Sequence, residues 1–297
     1  MRKAYNFQVK HQTYCLGRHT WIIGVVNVTP DSFSDGGLYL EPEKAVDHGL
    51  GLLAEGADII DVGGESSRPG SDPVPAEEEI RRVIPVIAGL RKASQALISV
   101  DTMKFEVAEA ALDHGADIIN DISSVSLDTR LLSLAARNDA GFILMHMQGN
   151  PKTMQVHPFY VDVLKEIRSF LAEKIEIALA YGLKKENIII DPGIGFGKRL
   201  EDNLVLINKL DFFEALERPI LVGVSRKSFI GKVLNAPPQD RLEGSIAAAV
   251  VSILRGASIL RVHDVKAVKR AALVAEAILN DDPEKSFGEE SKNRYVH

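Results

Sequence analysis

The chain has 297 residues, a mass of 32.5 kDa, 45% hydrophobic and 26% charged residues and a mean hydropathy of +0.01. That is the profile of a globular protein rather than a disordered, collagenous or membrane one. Lys and Arg number 35 against 41 Asp and Glu, a net charge of −6, which argues against a nucleic-acid surface because that needs a basic field. The one cysteine, Cys15, excludes an internal disulfide framework and a cysteine metal cluster and fits a reducing cytosol.

In chain order, residues 1–17 (MRKAYNFQVKHQTYCLG) are polar throughout and lack the apolar stretch of a signal peptide. Next comes a repeating unit: a short β-branched run that ends in polar or glycine residues, then a helical pattern. The runs are WIIGVVN (21–27), DIIDVGG (58–64), LISVD (97–101), DIIND (117–121), GFILMH (141–146), NIIID (187–191), PILVGVS (219–225) and SILRVHD (258–264). Their unbroken Val, Ile and Leu character suits parallel strands buried on both faces.

Between the runs, Ile80, Val83, Ile87 and Leu90 follow helical spacing behind the acidic residues Glu77 to Glu79, with Pro85 expected to kink that helix. Tyr160 to Tyr181 places Val163, Leu164, Ile167, Leu171 and Ile175 on one stripe. Arg241 to Leu254 is small and apolar, with Ala247, Ala248 and Ala249 in a row, which suggests close packing against another subunit. The longest apolar stretch, Ile246 to Leu254, is too short to span a bilayer. No linker interrupts the body, so residues 1–280 are expected to form one domain and the polar residues 281–297 a disordered tail.

Eight alternating β and α units predict a (β/α)8 TIM barrel; local patterns do not show ring closure, and a doubly wound sheet remains the alternative. In a barrel the chemistry gathers at the C-terminal strand ends. There the sequence places Asn27, Gly63-Gly64-Glu65, Asp101, Asn120-Asp121, His146, Asp191, Ser225-Arg226-Lys227 and Arg261 with His263-Asp264. Any one of these could simply be solvated; all eight together favour a working mouth, since ionisable groups against an apolar barrel are costly unless used. Two long loops leave the same face, Val28 to Pro42 and Gly63 to Pro75, and both read as lids.

Asp101, Asn120 and Asp191 offer the acceptors and donors that a flat polar heterocycle needs. Lys227, Arg261 and His263 supply cations on the last two strands, where barrels often bind phosphate, and Arg68 adds another on a loop. GIGFGK (193–198) is neither a dinucleotide loop, since Lys198 stands where glycine is required, nor a P-loop, since Arg199 follows. His146 and His157 lack metal-ligand spacing and read as packing or loop residues. Cys15 has no partner histidine, and no serine sits in a nucleophile elbow.

The segments NVTPDSFSDGG (27–37), IIDVGGESSRPG (59–70), SVDT (99–102), IINDIS (118–123), ILMHMQGNPKTMQ (143–155), IIIDPGIGFGK (188–198), GVSRKSFIG (223–231) and LRVHDV (260–265) together resemble the dihydropteroate synthases. The resemblance covers every strand in order, roughly residues 5–280. It implies condensation of 6-hydroxymethyl-7,8-dihydropterin diphosphate with p-aminobenzoate to give 7,8-dihydropteroate and diphosphate. Carried over by motif, Asp101, Asn120, Asp191 and Lys227 would bind the pterin ring, with Ile122, Met145, Phe196 and Gly223 lining its slot. Asn27, Ser67, Arg68, Arg261 and His263 would hold the diphosphate, with Asn27 also contacting a Mg2+ ion. Phe33, Ser67, Pro69, Lys227 and Ser228 would form the p-aminobenzoate site. Asp35, Arg68, Lys227, Arg261 and His263 would be the catalytic set. Ser67 stands where threonine is common, which keeps the hydroxyl.

An electron-rich dihydropterin can delocalise positive charge from its methylene, so the substitution is expected to be dissociative and S_N1-like, with charge neutralisation at the leaving diphosphate. The resemblance further implies a cytoplasmic homodimer built on residues 241–255 and 265–280, with small-molecule partners and neither nucleic acid nor membrane. Two other readings stand beside it. One is a pterin-binding methyltransferase, acting on methyltetrahydrofolate and a corrinoid with the same pocket; the other is a catalytically idle barrel serving as a partner subunit. The ESSRPG and SRKS segments favour the synthase over the former, and the presence of Asp35, Arg68, Lys227 and His263 over the latter.

Overall fold

The structure is a computed structural model and describes residues 2–29, 42–66 and 70–280. Its strands are β1 (Tyr5–Val9), β2 (Gln12–Leu16), β3 (Trp21–Asn27), β4 (Ile59–Gly63), β5 (Leu97–Asp101), β6 (Ile118–Asp121), β7 (Gly141–Met145), β8 (Ile188–Asp191), β9 (Leu221–Val222) and β10 (Ile259–Val262). The helices are α1 (Pro42–Ala54), α2 (Ala76–Ala93), α3 (Phe105–Asp113), α4 (Arg130–Arg137), α5 (Val163–Ala180), α6 (Leu200–Asn208), α7 (Ser228–Leu234), α8 (Leu242–Leu254) and α9 (Val265–Asn280).

Eight parallel strands run in the order β8-β7-β6-β5-β4-β3-β10-β9. A parallel bridge between Ile190 and Ile220, with the Ile190 amide donating to the Pro219 carbonyl at 3.1 Å, joins the two ends of that series. The ring therefore closes, and the doubly wound alternative falls. The seventh barrel strand is much shorter than residues 219–225. Pro219 has no amide to give to a ladder, and at the far end the His263 amide donates to Ser225 Oγ at 3.3 Å instead of a strand carbonyl.

The antiparallel hairpin β1–β2 is absent from the sequence reading. Tyr5, Phe7 and Val9 alternate inward and meet Tyr14 and Leu16. Phe7 and Leu16 are fully buried against Trp21, Ile23, Ile59, Leu97, Ile118, Ile143, Ile189, Leu221 and Ile259 from the barrel strands. The hairpin thus plugs the lower end of the barrel. Gly141 makes this possible: a Cβ there would stand 2.6 Å from the Phe7 ring. A second, larger core lies between the strands and the outer helices.

Helix α2 continues through Pro85. Its first-turn acid Glu79 is buried rather than left in solvent at the helix dipole, and pairs with Lys104. Helix α5 buries Val163, Ile167, Leu171, Ile175 and Ala178 along the expected stripe.

Candidate active site

The upper ends of the barrel strands enclose a slot lined by Val25, Asp101, Asn120, Ile122, Met145, Asp191, Ile194, Phe196, Gly223, Ser225, Lys227, Arg261 and His263. Parallel register brings this set together: Asp101 lies beside Asn120, and Met145 beside Asp191. Ile122, Met145, Met154 and Phe196 form an apolar cluster of their own, apart from the two barrel cores. The slot therefore offers apolar walls and a polar rim, the surface a flat heterocycle requires.

Asp191 is buried and accepts the Gly193 amide at 2.7 Å. Burial pushes its carboxyl up to about 6, opposed by that hydrogen bond and by Lys227, Lys198 and Arg261. Burial also pushes Asp101 up to about 7, with Arg261 opposing and Asp61, Glu79 and Asp121 reinforcing.

Arg261 bridges two carboxylates. Its Nε donates to Asp61 Oδ2 at 2.6 Å and its Nη2 to Asp101 Oδ2 at 2.7 Å, while Asn120 Nδ2 donates to the same Asp61 oxygen at 3.2 Å. Burial opposes the guanidinium charge, but the two carboxylates outweigh it and hold its pKa above the usual value. The Lys227 ammonium stands 3.9 Å from the centre of the Phe196 ring, a cation–π contact. Burial brings Lys227 down to about 8, with Asp191 and Asp101 opposing.

His263 is exposed at the strand end, and its ring hydrogen-bonds Ser225 Oγ through Nδ1 at 3.1 Å. Desolvation, followed by the charges of Arg261 and Arg226, pulls its pKa below the usual range.

Asn27 ends β3 beside Gly63 and Ser228 opens α7 with an exposed side chain; neither lines the slot. Phe33, Asp35, Ser67, Arg68 and Pro69 lie outside the described residues.

Other polar strand ends turn out to be structural. Asp121 caps its own turn, accepting from the amides of Ser123 and Val125 and from Ser123 Oγ. Val125 there holds a left-handed φ of 53°, which a β-branched residue adopts only when something fixes it. Glu65 accepts the Val74 amide at 2.7 Å and Lys104 at 2.7 Å, tying together the two ends of the second long loop. Asp264 pairs with Arg226. His146 packs edge-on against Phe170.

Two residues in or behind the site were missed by sequence reasoning. Asp61 carried a signal, because it stands two positions before Gly63 and so shares the inward face of β4. Lys198, a buried lysine, carried none beyond its place in GIGFGK. Among the described residues no three His, Cys, Asp or Glu side chains converge as a metal centre.

The model of the pterin binding enzymes matches residues 23–263. An Escherichia coli dihydropteroate synthase is 47% identical over 269 residues, 91% of this chain and 95% of that one. A Synechocystis dihydropteroate synthase is 45% identical over 88% of this chain and 91% of that one. The chain belongs to the dihydropteroate synthase family. Solved family structures agree. A Yersinia pestis dihydropteroate synthase in complex with a sulfonamide drug superposes with a TM-score of 0.87 at 42% identity, covering 93% of this chain and 99% of that one. A Xanthomonas albilineans dihydropteroate synthase in complex with 7,8-dihydropteroate gives 0.80 at 42% identity over 90% and 96%. The same bacterium's enzyme with 4-aminobenzoic acid gives 0.84 at 44% identity over 90% and 96%. These relatives do not favour the methyltransferase reading. The pterin-binding match starts within β3, so the plugging hairpin lies outside it.

Proposed function

We propose that the chain is a transferase that joins 6-hydroxymethyl-7,8-dihydropterin diphosphate to p-aminobenzoate, releasing diphosphate and forming 7,8-dihydropteroate. The observation that carries this reading is the slot itself: Asp101, Asn120 and Asp191 share one rim above the Ile122, Met145 and Phe196 walls. Asp191 and Asp101 would accept the ring N–H groups, Asn120 would pair a mixed donor and acceptor edge, and Lys227 would donate to the ring carbonyl. A neutral, flat ring can replace the Lys227 ammonium against Phe196 without adding charge to a pocket that already balances carboxylates with cations.

In the reaction the methylene C–O bond breaks and its electron pair leaves with the diphosphate. The amine nitrogen then bonds to that carbon and loses a proton to solvent. We read the step as dissociative. Arg261, Arg68 and Ser67 would hold the leaving group, and His263 would donate to it through Nε2. Asp35 and the loop residues Phe33 and Pro69 would shield the cation, with Ser228 and Lys227 beside the amine substrate. Asn27 offers one amide oxygen at the mouth. A single protein ligand suits Mg2+ carried in on the substrate's phosphates, since Mg2+ keeps several waters and takes few protein oxygens. When bound, that ion supplies charge neutralisation at the diphosphate.

Among the described residues no helix is long and apolar enough to cross a membrane, in keeping with a cytoplasmic enzyme acting on small molecules. Exposed Val251 and Leu254 on α8, with Leu273, Val274 and Ile278 on α9, support a homodimer through those helices. We also take residues 1–280 as one catalytic unit.

The reading is tested by measuring diphosphate release with each substrate omitted, and identifying dihydropteroate by mass. Product from the full mixture is expected, together with slow diphosphate release from the pterin substrate alone. No product would sink the function; strict dependence of release on p-aminobenzoate would sink the dissociative step.

A further inference from the structure

The GIGFGK segment matched no nucleotide loop, yet the structure spends a dense set of contacts on it. Gly193, Gly195 and Gly197 take φ values of 70°, 84° and 62°, a left-handed conformation at every second residue that side chains resist. A Cβ at Gly193 would sit 1.9 Å from the His146 carbonyl oxygen, so the segment lies flat against the end of β7. Its polar backbone atoms are then taken up one by one. The Gly195 amide donates to Asn203 Oδ1 at 2.6 Å, Gln155 Nε2 donates to the Gly195 carbonyl at 2.8 Å, and Tyr160 Oη donates to the Gly197 carbonyl at 2.8 Å.

Lys198 sits beneath this segment, 3% exposed. Its ammonium has three acceptors for its three protons: the Phe196 carbonyl at 2.9 Å, the His146 carbonyl at 3.3 Å and His146 Nδ1 at 3.0 Å. Accepting at Nδ1 requires a neutral His146, and burial followed by the Lys198 charge holds that ring well below the usual histidine range. None of the three acceptors is charged, so the positive charge of Lys198 is left to act on what lies in front of it.

We infer that Lys198 is a positioning residue, pinning Phe196 as a wall of the slot and serving as the fixed counter-cation that keeps Asp191 ionised for the pterin. The inference rests on the proposed function. Lys198 Nζ lies 3.4 Å from where a Gly193 Cβ would stand, beside the amide that Asp191 accepts at 2.7 Å, and the charges acting on Asp191 are those of Lys227, Lys198 and Arg261. The groups facing Lys198 are Asp191, Lys227, Asp202 and His146. Burial draws Lys198 itself down to about 7, so it is mostly charged at the pH where Asp191 titrates near 6 and loses that charge above it. Asp101, in contrast, feels Arg261, Asp61, Glu79 and Asp121 rather than Lys198. It provides an internal control.

The test compares Lys198→Gln and Lys198→Met, both neutral, with Lys198→Arg, which keeps the charge. Binding of 6-hydroxymethylpterin is titrated from pH 5 to 9, with the Asp101 step assigned through an Asp101→Asn variant. In the neutral variants the Asp191 step should rise by about one pH unit, about fivefold weaker binding at pH 6, while the Asp101 step stays and Lys198→Arg keeps the wild-type step. An Asp191 step that stays put in a neutral variant, or that moves as far in Lys198→Arg, overturns the inference. Should neither neutral variant fold, the wild type decides: an Asp191 step below the Asp101 step, which does not sense Lys198, supports the inference, and one at or above it overturns it. A wild-type protein that binds no pterin at any pH sinks the proposed function as well, whereas binding with an unmoved step sinks this inference alone.

Discussion

The ligand-free active site should destabilise the protein at neutral pH, and Asp191→Asn should expose this. Asp191 is buried, and its carboxyl stands near 6 in the folded protein against an ordinary 3.8. The folded state therefore holds the proton more tightly than the unfolded chain. Its contribution to stability is greatest below pH 3.8 and is lost as the pH rises through 6. At pH 8 the deficit is fully expressed, about 3 kcal/mol. Asparagine copies the shape of the protonated acid, and its Oδ1 can still accept the Gly193 amide. Urea unfolding at pH 8 should thus show the variant more stable than wild type by up to about 3 kcal/mol, falling to about half that at pH 5 and vanishing near pH 3. Comparing the two proteins cancels the titrating groups that do not sense Asp191, and Lys198 and Lys227 are the ones that do. The same variant should lose pterin binding. A variant less stable than wild type at pH 8, or a gain that does not shrink with acid, refutes the reasoning.

Phe7→Ala should remove the centre of the barrel plug. A fully buried phenylalanine truncated to alanine costs about 3–5 kcal/mol, read as a fall in thermal midpoint, while kcat at low temperature stays at the wild-type value because the plug lies at the end away from the slot. A loss under about 1 kcal/mol would mean that the hairpin does not seal the barrel. Glu65→Gln should loosen the base of the second long loop, where the carboxylate holds both the Val74 amide and Lys104. Losing a charge-assisted hydrogen bond of about 1.5–3 kcal/mol should raise KM for p-aminobenzoate about tenfold or more and leave pterin binding alone. Equal effects on both substrates would contradict that role.

The barrel was legible because each strand carries its own signal: apolar on both faces, ended by a polar residue. Ring closure was not, because it depends on Ile190 meeting Ile220, a pairing that neither run announces. The hairpin was missed for a similar reason. Tyr5, Phe7 and Val9 do alternate, but what makes them inward-facing is the barrel floor supplied by residues from Trp21 to Ile259. In the site, Asp101, Asn120, Asp191 and Lys227 were readable as strand-end residues, and the structure gathers them in one slot. Asp121 was equally conspicuous in the sequence and does something else, capping a turn. Position along a strand tells which residues reach the mouth; only the pleat tells which of them look in.

Charge is where the structure alters the chemistry most. The sequence placed Lys227, Arg261 and His263 at the mouth as an anion site. In the folded protein Arg261 is already shared between Asp61 and Asp101, and desolvation with the charges of Arg261 and Arg226 works against a proton on His263. Among the described residues the slot therefore balances Asp61, Asp101 and Asp191 against Arg261, Lys227 and the enclosed Lys198, leaving little surplus for a polyanion. A neutral pterin ring matches that balance, and a diphosphate needs further positive charge. The surplus positive charge must arrive with the substrate or from Arg68. Isothermal titration should accordingly show that removing Mg2+ weakens binding of the pterin diphosphate at least tenfold, while 6-hydroxymethylpterin, which lacks phosphates, binds equally well with or without the ion. Equal affinity for the diphosphate in both conditions would show that Arg261 and its neighbours suffice, and that the two carboxylates release the guanidinium when the substrate arrives.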